Sequence, residues 1–176
     1  MIRPDKHSND PVKWYAVYVR SRHEKKVHAQ LVRKGVETYL PLIEEFRVWS
    51  DRKKKVQEPL FRGYLFVRIS LKHKLDVLQS DGVVRLVGTP EYPSPVREEE
   101  IDWIKRSLGD PSIAKSLRME KYPLPGKKVE VISGPLRGIR GVVAQVRGNA
   151  RLVIQVEAIS RAFSVEVSPE FLVEAR

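Results

Sequence analysis

The sequence predicts an α+β domain followed by a small five-stranded β-barrel, and three observations carry that reading. Strand-like and helix-like runs alternate as far as residue 109. From Pro125 onward the texture changes to short Val/Ile alternation broken by glycine turns. Between the two, residues 110–124 (DPSIAKSLRMEKYPL) hold no firm period and contain Pro111 and Pro123, the pattern of a linker. The expected organisation is a polar tail over 1–12, an α/β sandwich over 13–109, a linker over 110–124 and the barrel over 125–176.

In the first domain, Trp14 to Val19 (WYAVYV) is a β-prone apolar run ending at Arg20. Ser21 followed by Glu24 has the spacing of a capping box and predicts a helix. Val27 and Leu31, one turn apart, supply its buried stripe, and Gly35 stops it. A strand follows around 37–43, interrupted by Pro41, then a hairpin with the polar tip SDRKKK, Ser50 to Lys55. Leu71, Leu75 and Leu78 have helical spacing and predict a short helix. Asp81-Gly82 turns into a strand over 83–87. A loop over 88–95 precedes a helix from Arg97 to Leu108, burying Ile101 and Ile104 or Leu108 and ending at Gly109. The result is a mostly antiparallel sheet backed by helices.

The stretch from Glu58 to Ile69, EPLFRGYLFVRI, organises that domain. Pro59 cannot donate to a ladder, and Arg62-Gly63 breaks the run. Leu65, Val67 and Ile69 then form a core face, while Tyr64, Phe66 and Arg68 point the other way, with Phe61 just before the bend. Either a helix covers this second face, or it is an aromatic surface awaiting a partner.

In the second domain, Val129 and Val131, residues 138–146, Leu152 to Val156, Phe163 to Val167 and a segment around Leu172 are the five strands. Gly134-Pro135 and Gly148-Asn149 make turns, the second a two-residue hairpin turn. This is a barrel of SH3-like size. Its Val/Ile alternation favours strands over helices.

The 176 residues carry 33 Lys+Arg against 22 Asp+Glu, a net charge of +11. Residues 1–110 hold 22 basic and 16 acidic side chains, net +6, and residues 111–176 hold 11 and 6, net +5. No single tail explains the excess, so the positive field belongs to folded surfaces and favours a polyanionic partner, nucleic acid above all. Arg20, Arg22, Lys25, Lys26, Arg33 and Lys34 cluster at the first strand's exit and on the following helix, and Arg52, Lys53, Lys54 and Lys55 crowd the hairpin tip. Such groups contact phosphates without reading sequence. For the tip alone, a solvated hairpin end is the competing reading.

The chain has no cysteine, which excludes disulfides and thiolate chemistry. The first ten residues are polar, unlike a secretory signal, and no apolar run approaches the ~20 residues that span a bilayer. The expectation is a soluble, cytoplasmic protein with no membrane association. Catalytic motifs are scarce. His23 and His28 lie five apart, about 140° around a helix, and cannot face one metal ion. GPLRGIRG, Gly134 to Gly141, lacks the GK[ST] ending of a phosphate loop. No nucleophile, base and orienter set stands out, so neither enzyme activity, cofactor nor metal is expected.

WYAVYVRSRHEKKV from Trp14, EPLFRGYLFV from Glu58, SDGVVRLVG from Ser80 and GKKVEVISGPLRGIRGVV from Gly126 occur in the order found in NusG-type transcription factors, which the chain resembles over nearly all its length beyond residue 12. The first three blocks are similar to the family's N-terminal NGN domain. The fourth is similar to its KOW motif, with Gly134, Pro135, Gly138 and Gly141 at the motif positions. The unbroken EPLFxxYLFV and the RxWSDRKKK hairpin look closer to the specialised RfaH and UpxY branch. The resemblance implies a monomeric, non-catalytic factor that rides on RNA polymerase and acts in antitermination or pause suppression. It implies that Tyr18, Phe61, Tyr64 and Phe66 dock on the clamp helices of the largest polymerase subunit. It also implies that Arg20, Gln30, Arg33 and Lys34 meet the non-template DNA strand, although Gln30 stands where that branch has histidine and Lys34 where it has glutamine. Arg62-Gly63 departs from the more usual Pro-Gly or Pro-Asn. The KOW barrel would recruit a ribosomal protein or the Rho terminator. The alternative is a ribosome-associated RNA-binding protein that uses its KOW barrel on RNA.

Overall fold

Period-two alternation in WYAVYV and YLFVRI builds the first sheet. A computed structural model describes residues 10–146 and 149–175 and gives β1 (Lys13–Val19), α1 (Glu24–Arg33), β2 (Glu37–Tyr39), β3 (Leu42–Trp49), β4 (Arg52–Pro59), β5 (Tyr64–Ile69), α2 (Lys74–Leu78), β6 (Val83–Leu86) and β7 (Pro95–Val96). The strands run in the order β2-β5-β1-β6, with β7 also paired to β1, and every pairing is antiparallel. Tyr15, Val17, Val19, Leu65, Val67, Ile69 and Leu86 share one face and pack with Val27 and Leu31 of α1 and Val77 of α2. The predicted core face and helix stripe are therefore the observed ones.

Three local details differ from expectation. No side-chain cap starts α1: its N-cap position is His23, and Glu24 bonds elsewhere. In the 71–79 segment a one-turn 3₁₀ helix (Leu71–His73) precedes α2, and Val77 is the residue sealed in the core while Leu75 stays exposed. The tighter turn shifts the phase, so a spacing read at one helical period selects the wrong residue. The basic tip is narrower than SDRKKK, since Arg52 to Lys55 already belong to β4 and the turn is Ser50-Asp51. Pro41 separates β2 from β3, as its missing N–H requires.

The chain divides into two compact units after Glu98, inside the first turn of α3 (Glu98–Gly109), where a boundary at 109 was expected. Ile101 and Ile104 are buried and Leu108 half-buried. The stretch expected to be a linker is ordered. It forms α4 (Pro111–Ser116), capped by Asp110 accepting from the Ser112 and Ile113 N–H groups, and then β8 (Arg118–Glu120). Short elements of this kind leave no period to detect. The five expected barrel strands follow as β9 (Lys127–Val131), β10 (Arg140–Val146), β11 (Asn149–Val156), β12 (Arg161–Val167) and β13 (Leu172–Glu174). Their order is β13-β9-β10-β11-β12-β8, so the supposed linker supplies a sixth strand to β12. Of the predicted Gly148-Asn149 turn, Gly148 lies outside the described residues. Leu152, Ile154, Val156, Phe163 and Val165 are fully buried. Gly141 has no room for a side chain, because a Cβ there would strike the Val153 carbonyl of the neighbouring strand. Among the described residues no helix is long and apolar enough to cross a membrane.

Arg151 ties α4 to the sheet. It is only 4% exposed and donates to Ser164 Oγ at 3.0 Å, Glu166 Oε1 at 3.1 Å and the Ser116 carbonyl at 2.5 Å. Removing the guanidinium takes these bonds away together and empties a buried site beside Ser164. Arg151→Ala should lower stability by about 2–3 kcal/mol in urea unfolding of the full chain. Arg151→Lys should recover only part of this, since an ammonium lacks the planar fork. A loss within ~0.5 kcal/mol, the usual range of surface substitutions, would show that the network contributes nothing.

Candidate nucleic-acid and protein interface

The face opposite the helices is sealed at one end and open at the other. Trp14, Ala16 and Phe66 are buried, whereas Tyr18 is 38% exposed and Tyr64 half-buried. Tyr18 and Tyr64 are direct cross-strand partners with ring centroids 5.4 Å apart, and the Arg85 guanidinium lies 5.8 Å from the Tyr18 centroid. Such pairs fix each other's orientation. The expectation of a continuous exposed aromatic surface fails for Phe61 and Phe66, at 1% and 0% exposure. Their rings meet edge to face at 6.2 Å, and Phe66 stacks on Tyr39 at 6.4 Å.

The Arg62-Gly63 turn lies between buried Phe61 and half-buried Tyr64. Tyr64 N–H donates to the Phe61 carbonyl at 3.1 Å, and Gly63 adopts φ +81°. Only glycine is comfortable there, and the Tyr18 ring already sits 3.1 Å from where a Cβ would stand. Gly63 N–H donates at 2.8 Å to Oε1 of Glu24, which is buried. Glu24 thus serves the turn instead of a capping box.

The basic residues of the α1 region converge on the loop before β6. Asp81 Oδ2 accepts from Lys26 Nζ at 2.5 Å, and Arg20 lies 3.9 Å from Oδ1. The Gln30 amide donates to the Asp81 carbonyl at 2.9 Å and accepts from its N–H at 3.2 Å. Lys34 donates to the Asp76 carbonyl and to Ser80 Oγ, at 2.8 and 2.9 Å. Lys25 reaches across to the Gln57 carbonyl of β4 at 2.6 Å. Arg22, in the left-handed region at φ 63°, and Arg33 are exposed. Four of the predicted contacts (Arg20, Lys26, Gln30 and Lys34) are therefore gathered on one rim with a carboxylate at its centre. Lys26, first by its hydrogen bond and then by its charge, holds the Asp81 carboxyl below the usual carboxylate range.

Arg52, Lys53 and Lys54 stand apart from this rim, on the β3–β4 hairpin. In the second unit, Gly134 and Pro135 lie in a turn closed by Arg137 N–H donating to the Gly134 carbonyl at 3.1 Å, and Gly138 N–H returns to the Val131 carbonyl. Arg106 of α3 donates to the Pro135 and Arg137 carbonyls at 2.8 and 2.7 Å. Sequence reasoning missed Asp81, Arg85 and the exposed Phe46, Val48 and Trp49. Alternation from Val83 was the available signal for Arg85, and alternation in FRVW for the hairpin.

The family profile described as "Transcription termination factor nusG" matches residues 12–105, more than half of the chain. The chain belongs to the NusG family. The transcription termination/antitermination protein NusG of Pseudomonas aeruginosa is 29% identical over 171 residues, covering 88% of this chain and 94% of that protein. Its counterpart from Deinococcus radiodurans is 26% identical over 181 residues, covering 89% and 95%. Among solved structures, one titled "Domain interaction in Thermotoga maritima NusG" matches with a TM-score of 0.57 at 23% identity, covering 94% of this chain and 98% of that one. That likeness supports the NusG fold.

The Asp81 pair gives a pH signature. Its carboxyl is lowered in the folded state, so its stabilisation is present above the ordinary carboxylate value and is lost as pH falls through the native one. Asp81→Asn should be less stable than the parent at neutral pH, with the gap closing below about pH 4. Urea midpoints across that range check this, and a gap that persists in acid would exclude the ion pair as its origin.

Proposed function

We propose that this NusG-family chain is a non-catalytic transcription factor that binds RNA polymerase and acts in antitermination or pause suppression. The observation that carries the reading is the accessible Tyr18–Tyr64 pair on a rigid sheet. Two large rings with little side-chain freedom to lose are the composition of an interface anchor. In this reading Tyr18 and Tyr64 touch the clamp of the largest polymerase subunit, and Phe61 and Phe66 hold that surface in shape from the interior. Docking there would keep the clamp closed around the nucleic acids.

Arg20, Arg22, Lys25, Lys26, Gln30, Arg33 and Lys34 would then face the non-template DNA strand, with the Arg52, Lys53 and Lys54 hairpin as a second contact. The internal bonds of Lys26 and Lys34 reduce what they offer to phosphate, so exposed Arg22 and Arg33 carry more of the contact. The KOW unit, with Gly134, Pro135, Gly138 and Gly141, serves as a recruitment module for a ribosomal protein or Rho. The setting is a cytoplasmic monomer. Placement in the RfaH and UpxY branch rests on the EPLFxxYLFV and RxWSDRKKK signatures.

Binding to purified core polymerase, followed by run-off transcription with and without the protein, tests the reading. Tyr64→Ala and Tyr18→Ala should each weaken polymerase binding by about tenfold or more, with a stability loss of only about 1–2 kcal/mol from the broken ring pair. Phe61→Ala should instead lower stability by about 3–5 kcal/mol, because it empties a buried site. Unaltered affinity in both tyrosine variants would remove the docking role. Recovery of ribosomal RNA in place of polymerase subunits in a pull-down would favour the ribosome-associated alternative.

A further inference from the structure

The β3–β4 hairpin presents its side chains on two faces. Among the described residues the two strands pair only with each other, from Leu42↔Pro59 to Trp49↔Arg52. Cross-strand partners share a face, so Phe46 and Val48 stand with Lys55 and Lys53 on one side. Arg47 and Trp49 stand with Lys54 and Arg52 on the other. Phe46 is 71% exposed, Val48 74% and Trp49 54%. Three large apolar side chains within four residues, all open to water, are unusual on a strand pair that has polar positions to spare.

Charge selects the kind of partner. Residues 46–55 hold five cations, Arg47, Arg52, Lys53, Lys54 and Lys55, against the single carboxylate of Asp51. Lys55 is engaged by Glu44 at 2.6 Å and Arg47 by Glu58 at 2.7 Å, both towards the hairpin base. Arg52 and Lys53 form no ion pair among the described residues. Lys54 Nζ lies over the Trp49 ring, 5.8 Å from its centroid, so a cation already sits at one face of a ring that is 54% exposed. An aromatic face next to unpaired cations is what a nucleotide requires, with the base on the ring and the phosphate on the cation. A duplex offers only its phosphates to such a surface, because its bases are already stacked. Hydrophobic protein partners fit poorly, since every exposed ring here is flanked by Lys or Arg.

The base of the hairpin is anchored, which lets its tip act as a positioned arm. Leu60 N–H donates to the Pro41 carbonyl at 2.9 Å, and Lys25 of α1 donates to the Gln57 carbonyl. Pro41, Pro59 and Leu60 are buried. Only the outer half, from Phe46 to Lys55, is left open on both faces.

We propose that this outer half is a single-stranded DNA binding site that the strand wraps, with Trp49 stacking on an unpaired base beside Arg52 and Lys54 on one face and Phe46 stacking on another beside Lys53 on the opposite face. The proposal rests on the DNA-contact reading above and deepens it, adding two base-stacking residues to a contact otherwise made of cations.

Fluorescence anisotropy with the full chain tests it, using a labelled oligo-dT strand, a duplex of equal length and oligo-rU, each titrated with salt. Trp49→Ala should weaken oligo-dT binding about tenfold at every salt concentration, with little effect on the duplex. Trp49→Phe should restore most of the affinity, and Phe46→Ala should give a loss of its own. Lys53→Gln should instead flatten the salt dependence by about 0.7 per phosphate released. Equal affinity of parent and Trp49→Ala for oligo-dT overturns the proposal, as does an equal loss on strand and duplex. Trp49-dependent binding of oligo-rU without oligo-dT overturns the choice of DNA. If Arg33→Ala abolishes oligo-dT binding while Trp49→Ala leaves it intact, the α1 contact stands and the hairpin site falls. Polymerase binding by the same variants in the absence of DNA separates this failure from that of the docking reading, which Trp49→Ala should leave untouched.

Discussion

One buried carboxylate holds the N-terminal unit in its working shape. Glu24, at the start of α1, accepts the Gly63 N–H across 39 residues of chain. An acceptor inside the protein stabilises that turn more than an exposed one would, and removing it would leave the Gly63 N–H without its partner. The turn lies between Phe61, which is sealed inside, and Tyr64, which is half-buried. The same bond places the first turn of α1 against β5, so the aromatic pair and the basic helix are positioned by a single contact.

A second constraint concerns charge. A net +11 suggests a uniformly attractive surface, yet the structure spends part of it internally. Asp81 draws Arg20 and Lys26 towards one loop, and Gln30 locks to the same backbone from both sides. Such exposed pairs contribute little to stability, but they orient long side chains that would otherwise sample many rotamers. The positive field is thereby divided into an organised rim on α1 and a separate, less neutralised hairpin tip.

In the C-terminal unit the decisive group is Arg151. A buried guanidinium bonded to Ser116, Ser164 and Glu166 holds α4 against β12, and β8 pairs with the same strand, extending the five strands to six. Tyr122 and Leu124 continue this attachment, packing with Val142, Val153 and Ala162. What reads as a connector is therefore part of the domain it leads into.

The chain's local periodicities settled much of this before any folding was considered. Alternation in WYAVYV and YLFVRI, the Val27–Leu31 spacing and the glycine-punctuated strands after Pro125 define the elements and the helix-facing core, because those signals depend only on neighbours along the chain. The resemblance of four sequence blocks to NusG-type factors, and not periodicity, pointed to the family and to most candidate contact residues. Tertiary structure alone decided which aromatic rings stay open, because Phe66 packs against Tyr39 of another strand and Phe61 precedes a turn bonded to a carboxylate far away in sequence. It likewise decided that Val77, not Leu75, enters the core, that Asp81 gathers the basic rim, and that residues 110–124 join the C-terminal sheet. Each of these outcomes comes from partners many residues apart, and a local pattern carries no record of them.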